Sequence, residues 1–266
     1  MGTIIAASDL TPRSASVAGR ALALGRRLGA QVILVHCVGP GSAPTLIEKA
    51  RAALLAALQG GAAEVRVLTG PPETVVPALC RDEGAELVVL GLHRVRPVLD
   101  LLGLTTMEKI LLRSAVPVLI AHTPPARPYR VVLSSTDFAP ACAAALAAAA
   151  RIAEPEAEFH AIHALQLPLR DKLSPADLAH SRAMTTADGL CRSFQAMPGV
   201  PTGLHPPEIV PGGVHEVLSF RLEELQPDLL AIGTHSGRDP ELLGNYARDL
   251  MRQPPTDVLV AKPPAV

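Results

Sequence analysis

The sequence predicts an α/β protein of two tandem domains, each a parallel sheet with helices on both faces. Three observations predict it. Short apolar runs alternate with helical segments, the pattern of a parallel sheet covered on both sides. A strand, glycine-bearing loop, amphipathic helix and strand occur in that order twice: Leu87–Gly91 to Pro117–Ala121, and Leu229–Gly233 to Asp257–Ala261. A proline-rich stretch near 122–129 carries no periodic pattern and separates the copies. The 266 residues therefore divide into domains at 1–123 and 129–266, each of a common domain size.

In the first half, Thr3–Ser8 is an apolar strand ending in Asp9. Thr11-Pro12 opens a helix, proline being tolerated in a first turn, and Val17, Ala21, Leu24 and Leu28 give that helix an apolar face. Gly29 is its C-cap. Gln31–Val38 is a second strand. A helix over 43–58 is stopped by Gly60-Gly61. Glu64–Leu68 alternates as a sheet edge does, and a helix beginning near Gly70-Pro-Pro-Glu73 ends at Gly84. Leu87–Gly91 and Pro117–Ala121 are the fourth and fifth strands. A chain that reverses direction after its third strand gives the order 3-2-1-4-5. Its ligand crevice lies between the carboxyl ends of strands one and four, where the loops begin at Asp9 and Gly91.

The second half repeats this plan. Val131 begins a strand that runs to Asp137, and an Ala-rich helix follows, ending near Ala153. Phe159–Leu165 places His163 where His36 stands in the first half. Ser174-Pro-Ala-Asp177 starts a helix running to Ala196. His205–Val210 is a strand confined to an edge by Pro206 and Pro207. A helix from Gly212 ends before Pro227, and Asp228–Gly233 and Asp257–Ala261 complete the sheet.

Composition narrows the function. The apolar fraction is 48% and the aromatic fraction 2%, so the core must be aliphatic. A net charge of −1 leaves no electrostatic footprint for nucleic acid. No apolar run reaches the roughly 18 residues of a membrane span, and the first residues lack a basic signal-peptide region. Four cysteines without a CxxC pair read as reduced, buried residues of a cytoplasmic protein. The GxSxG, HExxH and P-loop spacings are absent, so no catalytic constellation is visible. No metal-ligand set is visible either. His36-Cys37 is discounted because adjacent strand residues point to opposite faces.

Asp9 and Asp137 end strands at the crevice, where they contact a ligand or cap the following helix. His36 and His163 read as hydrogen-bonded buried histidines. His93 and His235 belong to the loops after the fourth strands.

These features, in order and repeated, resemble the universal stress protein family in its tandem form. The resemblance rests on Asp9-Leu-Thr-Pro12 and Asp137-Phe-Ala-Pro140, on His36-x-Val38 and His163-x-Leu165, and on Gly91-Leu-His93 and Gly233-Thr-His235. It rests also on the closing helices before Val116-Pro-Val-Leu-Ile120 and Thr256-Asp-Val-Leu-Val260. It implies two flavodoxin-like domains of the adenine nucleotide alpha hydrolase-like type, each a five-stranded parallel sheet of order 3-2-1-4-5. It further implies a stress-response binding protein with ATP as candidate ligand, accompanied by Mg²⁺. Unidentified protein partners are implied as well, as is pairing through fifth strands, here as an intramolecular pseudo-dimer, with a homodimer as a further form.

Nucleotide-binding members carry G-x2-G-x9-G-[ST] after the fourth strand, and neither half matches it. In the first half Gly91 fits, Arg94 replaces the second glycine and Leu104-Thr105 the final pair. In the second half Gly233 fits, His235 follows it, Ser236 replaces the second glycine, and Gly244-Asn245 stands last after a shorter loop. Side chains at such positions obstruct backbone approach to phosphate. Arg94 could instead pair with one. The resemblance therefore implies a site of Asp137, Gly233, His235, Ser236, Gly244 and Asn245 in the favoured second domain. A weaker one comprises Asp9, Gly91, Arg94 and Thr105. The alternative is a scaffold that has lost nucleotide binding and acts through protein–protein contacts. A slow ATPase ranks last.

Overall fold

A computed structural model of the chain describes residues 2–11, 14–92, 104–166, 182–234 and 243–263. The chain forms two compact units, Met1–Pro128 with Met251–Val258, and Tyr129–Leu250 with Leu259–Val266.

The first unit holds β1 (Thr3–Ala7), α1 (Ser14–Leu28), β2 (Gln31–Val38), α2 (Pro44–Ala57) and β3 (Glu64–Thr69). It continues with α3 (Pro72–Asp82), β4 (Ala85–Gly91), α4 (Thr106–Arg113) and β5 (Val118–Ala121). Its strands are parallel and ordered β3-β2-β1-β4-β5, the expected 3-2-1-4-5. Central strands are covered on both faces, which is why Ile4, Ile5 and Ala6 of β1 and Val88 and Val89 of β4 are all buried in one uninterrupted run. At the edge, β3 is half-exposed along most of its length. Gly29 (φ 63°) and Gly84 (φ 56°) take the left-handed conformation directly after α1 and α3, where a side chain would be strained.

The second unit holds β6 (Val131–Ser135), α5 (Pro140–Ile152), β7 (Glu158–Leu165), α6 (Arg182–Gln195) and β8 (Glu208–Pro211). Then come α7 (Val214–Leu225), β9 (Leu229–Gly233), α8 (Asn245–Arg252) and β10 (Asp257–Ala261), of which the last two residues of α8 and the first two of β10 are counted with the first unit. The order β8-β7-β6-β9-β10 repeats the plan, with β6 parallel to β7 and β9, and β7 parallel to β8.

The third strand of this half starts later than expected, at Glu208 rather than His205. Pro206 and Pro207 have no N–H to give a ladder, so pairing with β7 begins after them, from Ile162↔Glu208 to Leu165↔Pro211. Before the prolines only a single bridge forms, Phe159↔Leu204. The predicted start of the preceding helix at Ser174 lies outside the described residues. Among the described residues no helix is long and apolar enough to cross a membrane.

Candidate functional site

The loops that leave β1 and β6 are built alike. Ser8 N–H donates to Val35 O (2.9 Å), and Thr136 N–H donates to Ile162 O (2.9 Å). Each hydroxyl then accepts the amide two residues on: Leu10 N–H to Ser8 Oγ at 3.1 Å, Phe138 N–H to Thr136 Oγ1 at 2.8 Å. Leu10 (φ 59°) and Phe138 (φ 65°) both sit in the left-handed region, a strained choice for bulky residues, and the strain recurs at the same step of both repeats. The two histidines read from the sequence hold these loops. His36 Nδ1–H donates to Ser8 O and His163 Nδ1–H to Thr136 O, each at 2.8 Å. A carbonyl only accepts, so Nδ1 carries the proton. Both rings are half-buried rather than buried, because they lie at the strand ends.

Asp137 is not the N-cap of α5, as one reading held. Asp9 Oδ1 accepts Thr11 N–H (3.0 Å) and Thr11 Oγ1–H (2.7 Å), and Asp137 Oδ1 accepts Ala139 N–H (3.0 Å). These are turns closed on the residue two positions later. The N-cap of α5 is Ala139, which has no side chain to bond with. Asp137 also accepts a bond from the Cys142 thiol (3.3 Å), a group pushed up to about 11 by burial and then by this carboxylate. Burial likewise raises Cys37 to about 11 and Cys80 to about 12, so these thiols stay protonated and inert at neutral pH.

The two closing helices begin differently. Thr105, 4% exposed, caps α4 in a reciprocal box: Glu108 N–H donates to Thr105 Oγ1 (3.2 Å) and Thr105 N–H to Glu108 Oε2 (2.6 Å). Glu108 is fully buried and receives Arg252 on both oxygens, at 3.0 and 3.2 Å. Thr105→Ala is expected to cost about 1–2 kcal/mol, read as a lower denaturation midpoint. In α8 the equivalent cap is Gly244, whose carbonyl accepts Arg248 N–H at 3.0 Å. Gly244 and Asn245 are exposed, and a Cβ built on Gly244 would meet no atom of the described residues within 4 Å. Ala247 stands where Glu108 stands in α4, and Arg248 where Lys109 stands, so the first turn of α8 has no carboxylate to close it.

The glycines ending the fourth strands serve packing. A Cβ on Gly233 would lie 2.8 Å from Ala141 C, Ala141 Cβ and Cys142 N, so α5 approaches β9 as closely as glycine permits. A Cβ on Gly91 would lie 3.0 Å from Val17 Cγ2. Beside β7 the Phe138 ring stacks on His163 (centroids 4.8 Å apart) and leans on Phe194 (5.6 Å). Three buried hydroxyls belong to β6, to the residue after β9 and to the start of α8: Ser134 Oγ, Thr234 Oγ1 and Tyr246 Oη. None has a hydrogen bond among the described residues. Burial raises the Tyr246 phenol, tempered by Ser135, which lies near but outside hydrogen-bonding geometry. Arg94, His235 and Ser236 lie outside the described residues.

A cavity of about 460 Å³ in the first unit, bordered by Gly19, Leu22, Arg26, Leu58 and Pro125, includes none of these residues. Sequence reasoning missed Arg20. This buried guanidinium donates to Pro125 O (3.2 Å), Arg127 O (2.7 Å), Thr123 Oγ1 (2.8 Å) and Pro124 O (3.0 Å). Its Nε lies 3.0 Å from Asp257 Oδ2, and Asp257 Oδ1 accepts His122 N–H and Thr123 N–H at 2.6 Å each. The segment between the sequence repeats is thus bound by side chains, although it carries no pattern of its own.

The model of the universal stress protein family matches residues 1–122 and again 128–262. The chain belongs to the universal stress protein family. Two solved structures carry the likeness over 98% of the chain. One is a universal stress protein from Archaeoglobus fulgidus DSM 4304, 20% identical, with 96% of its own chain covered and a TM-score of 0.67. The other is a functionally unknown protein from Pseudomonas aeruginosa PAO1, 19% identical, 92% covered, TM-score 0.65. At such identities they speak for the universal stress protein fold alone. No curated protein matches the sequence.

Proposed function

We propose that this universal stress protein is a stress-response binding protein whose second domain takes an adenine nucleotide, with Mg²⁺ accompanying the phosphates. The site comprises Asp137, Gly233, Gly244 and Asn245, together with His235 and Ser236. The observation that carries this reading is the contrast between the two closing helices. Thr105 and Glu108 close the first turn of α4 on itself. The first turn of α8 begins on an exposed glycine with open space above it among the described residues, and has Ala247 where α4 has Glu108. Helix N–H groups that no capping side chain or first-turn carboxylate takes up favour an anion there. The unpartnered hydroxyls of Ser134, Thr234 and Tyr246 supply polar capacity around the same strand ends and helix start.

The test separates binding from stability. Aspartate is a good N-cap, so Gly244→Asp is expected to leave the ligand-free protein within a few tenths of a kcal/mol of the parent. Its carboxylate would repel phosphate. ATP with Mg²⁺ at about a hundredfold excess over Kd stabilises a binder by about 2.7 kcal/mol. The parent protein should show that thermal shift and the variant should lose it. A parent protein that purifies without nucleotide and shows no shift sinks the proposal.

The second reading, a scaffold acting through protein contacts, draws on Gly233. Close packing against the backbone of α5 by itself accounts for a glycine there, without any role in phosphate approach. Absence of nucleotide and of any thermal shift would favour it.

A further inference from the structure

Away from the nucleotide crevice, three side chains that no reading of the sequence joined come together on the β7–β8 side of the second unit. Glu158 and His160 stand two apart on β7, hence on one face of the sheet. His205 arrives just before β8, fixed by its N–H donating to Phe159 O at 2.9 Å. The imidazoles of His160 and His205 lie parallel, centroids 4.4 Å apart at 6°. One ligand atom from each of the three residues lies within 4.8 Å of the others. His160 Nε2 is buried, and the Glu158 carboxylate stands at the edge of hydrogen-bond reach, 3.5 Å from it. Glu158 and His205 are exposed, so the group opens to solvent.

We propose that Glu158, His160 and His205 form a binding site for a divalent transition-metal ion of the zinc class, with water completing the coordination shell.

The chemistry of the donors selects the ion. Two imidazoles and one carboxylate suit zinc, cobalt, nickel or copper, whereas calcium and magnesium prefer all-oxygen shells. The surroundings keep His160 in the form a metal needs. Burial first, then the neighbouring His205, lowers its pKa, which leaves a neutral ring with a lone pair. Arg221 also faces His160, but its charge is matched by ion pairs to Glu208 and Glu224. Tetrahedral ligands about 2.0–2.1 Å from a metal stand roughly 3.4 Å apart, so the three donors must draw in. In the present stack the two ring planes are parallel and their lone pairs do not converge. The exposed His205 ring can turn to bring them together, while His160 stays held in the strand.

The test uses the tag-free full-length chain, since a histidine tag would compete. Cobalt(II) is titrated and its d–d absorption followed, then displaced with zinc. The expected result is a signal saturating at one equivalent, removed by zinc and unmoved by excess magnesium. His205→Ala and His160→Gln should each weaken it by more than about a hundredfold, beyond the roughly 10–100-fold that loss of an outer-shell partner costs. Circular dichroism must show both variants folded; Glu158→Gln, at an exposed strand start, substitutes for any that is not. No absorption in the parent at one equivalent overturns the proposal, and so does a signal that survives unchanged in any folded variant of the three.

Discussion

Asp257→Ala is expected to cost about 3–5 kcal/mol, the penalty for leaving a buried charge without its counterpart. Asp257 is fully buried, and the Arg20 side chain is only 3% exposed. Removing the carboxylate strands the Arg20 guanidinium among backbone carbonyls and leaves the amides of His122 and Thr123 without their acceptor. Arg20→Ala should cost a similar amount by the reverse argument, because it also releases the carbonyls of Pro124, Pro125 and Arg127. The double variant should lose clearly less than the sum of the two, since the partners share one network. Urea denaturation of the three variants measures this. Strict additivity would mean that the pair does not couple and that the geometry contributes little.

Gly233→Ala is expected to be the most damaging glycine substitution of those at the strand ends, at about 3 kcal/mol. The added methyl would meet backbone atoms of α5 at 2.8 Å, and backbone cannot swing aside as a side chain can. Relief requires moving the helix off β9 and opening the packing of Ala141, Cys142 and Ala145. Gly91→Ala is the internal control. Its methyl meets only Val17 Cγ2 at 3.0 Å, so about 1 kcal/mol suffices. Equal losses at the two positions would overturn the assignment of Gly233 to close packing.

The strands were legible in the sequence because their burial on both faces makes each one a nearly unbroken apolar run, as in Val32–Val35 and Val258–Ala261. Helix ends were legible at Gly29 and Gly84 because only glycine takes the left-handed conformation cheaply. The Asp9 and Asp137 pair was legible as a repeat, but not the way its carboxylates are used. That depends on the backbone at Leu10 and Phe138, whose side chains give no sign of positive φ. Arg20 and Asp257 were not legible, since each resembles an ordinary charged residue until the fold joins the two. Likewise Glu158 and His160 share a strand, while His205 reaches them from a distant, proline-flanked segment. Residue type reports local conformation well and reports partners across the fold poorly.

The first unit incorporates Met251–Val258, and with it the counter-charges of Arg20 and Glu108. This sets an order of events during synthesis. A ribosome adding roughly 5–20 residues per second needs on the order of ten seconds to go from the end of the first domain to Asp257. Throughout that interval the nascent first half lacks the Arg252 and Asp257 side chains that pair with Glu108 and Arg20, so its final packing waits for the last part of the message to be read.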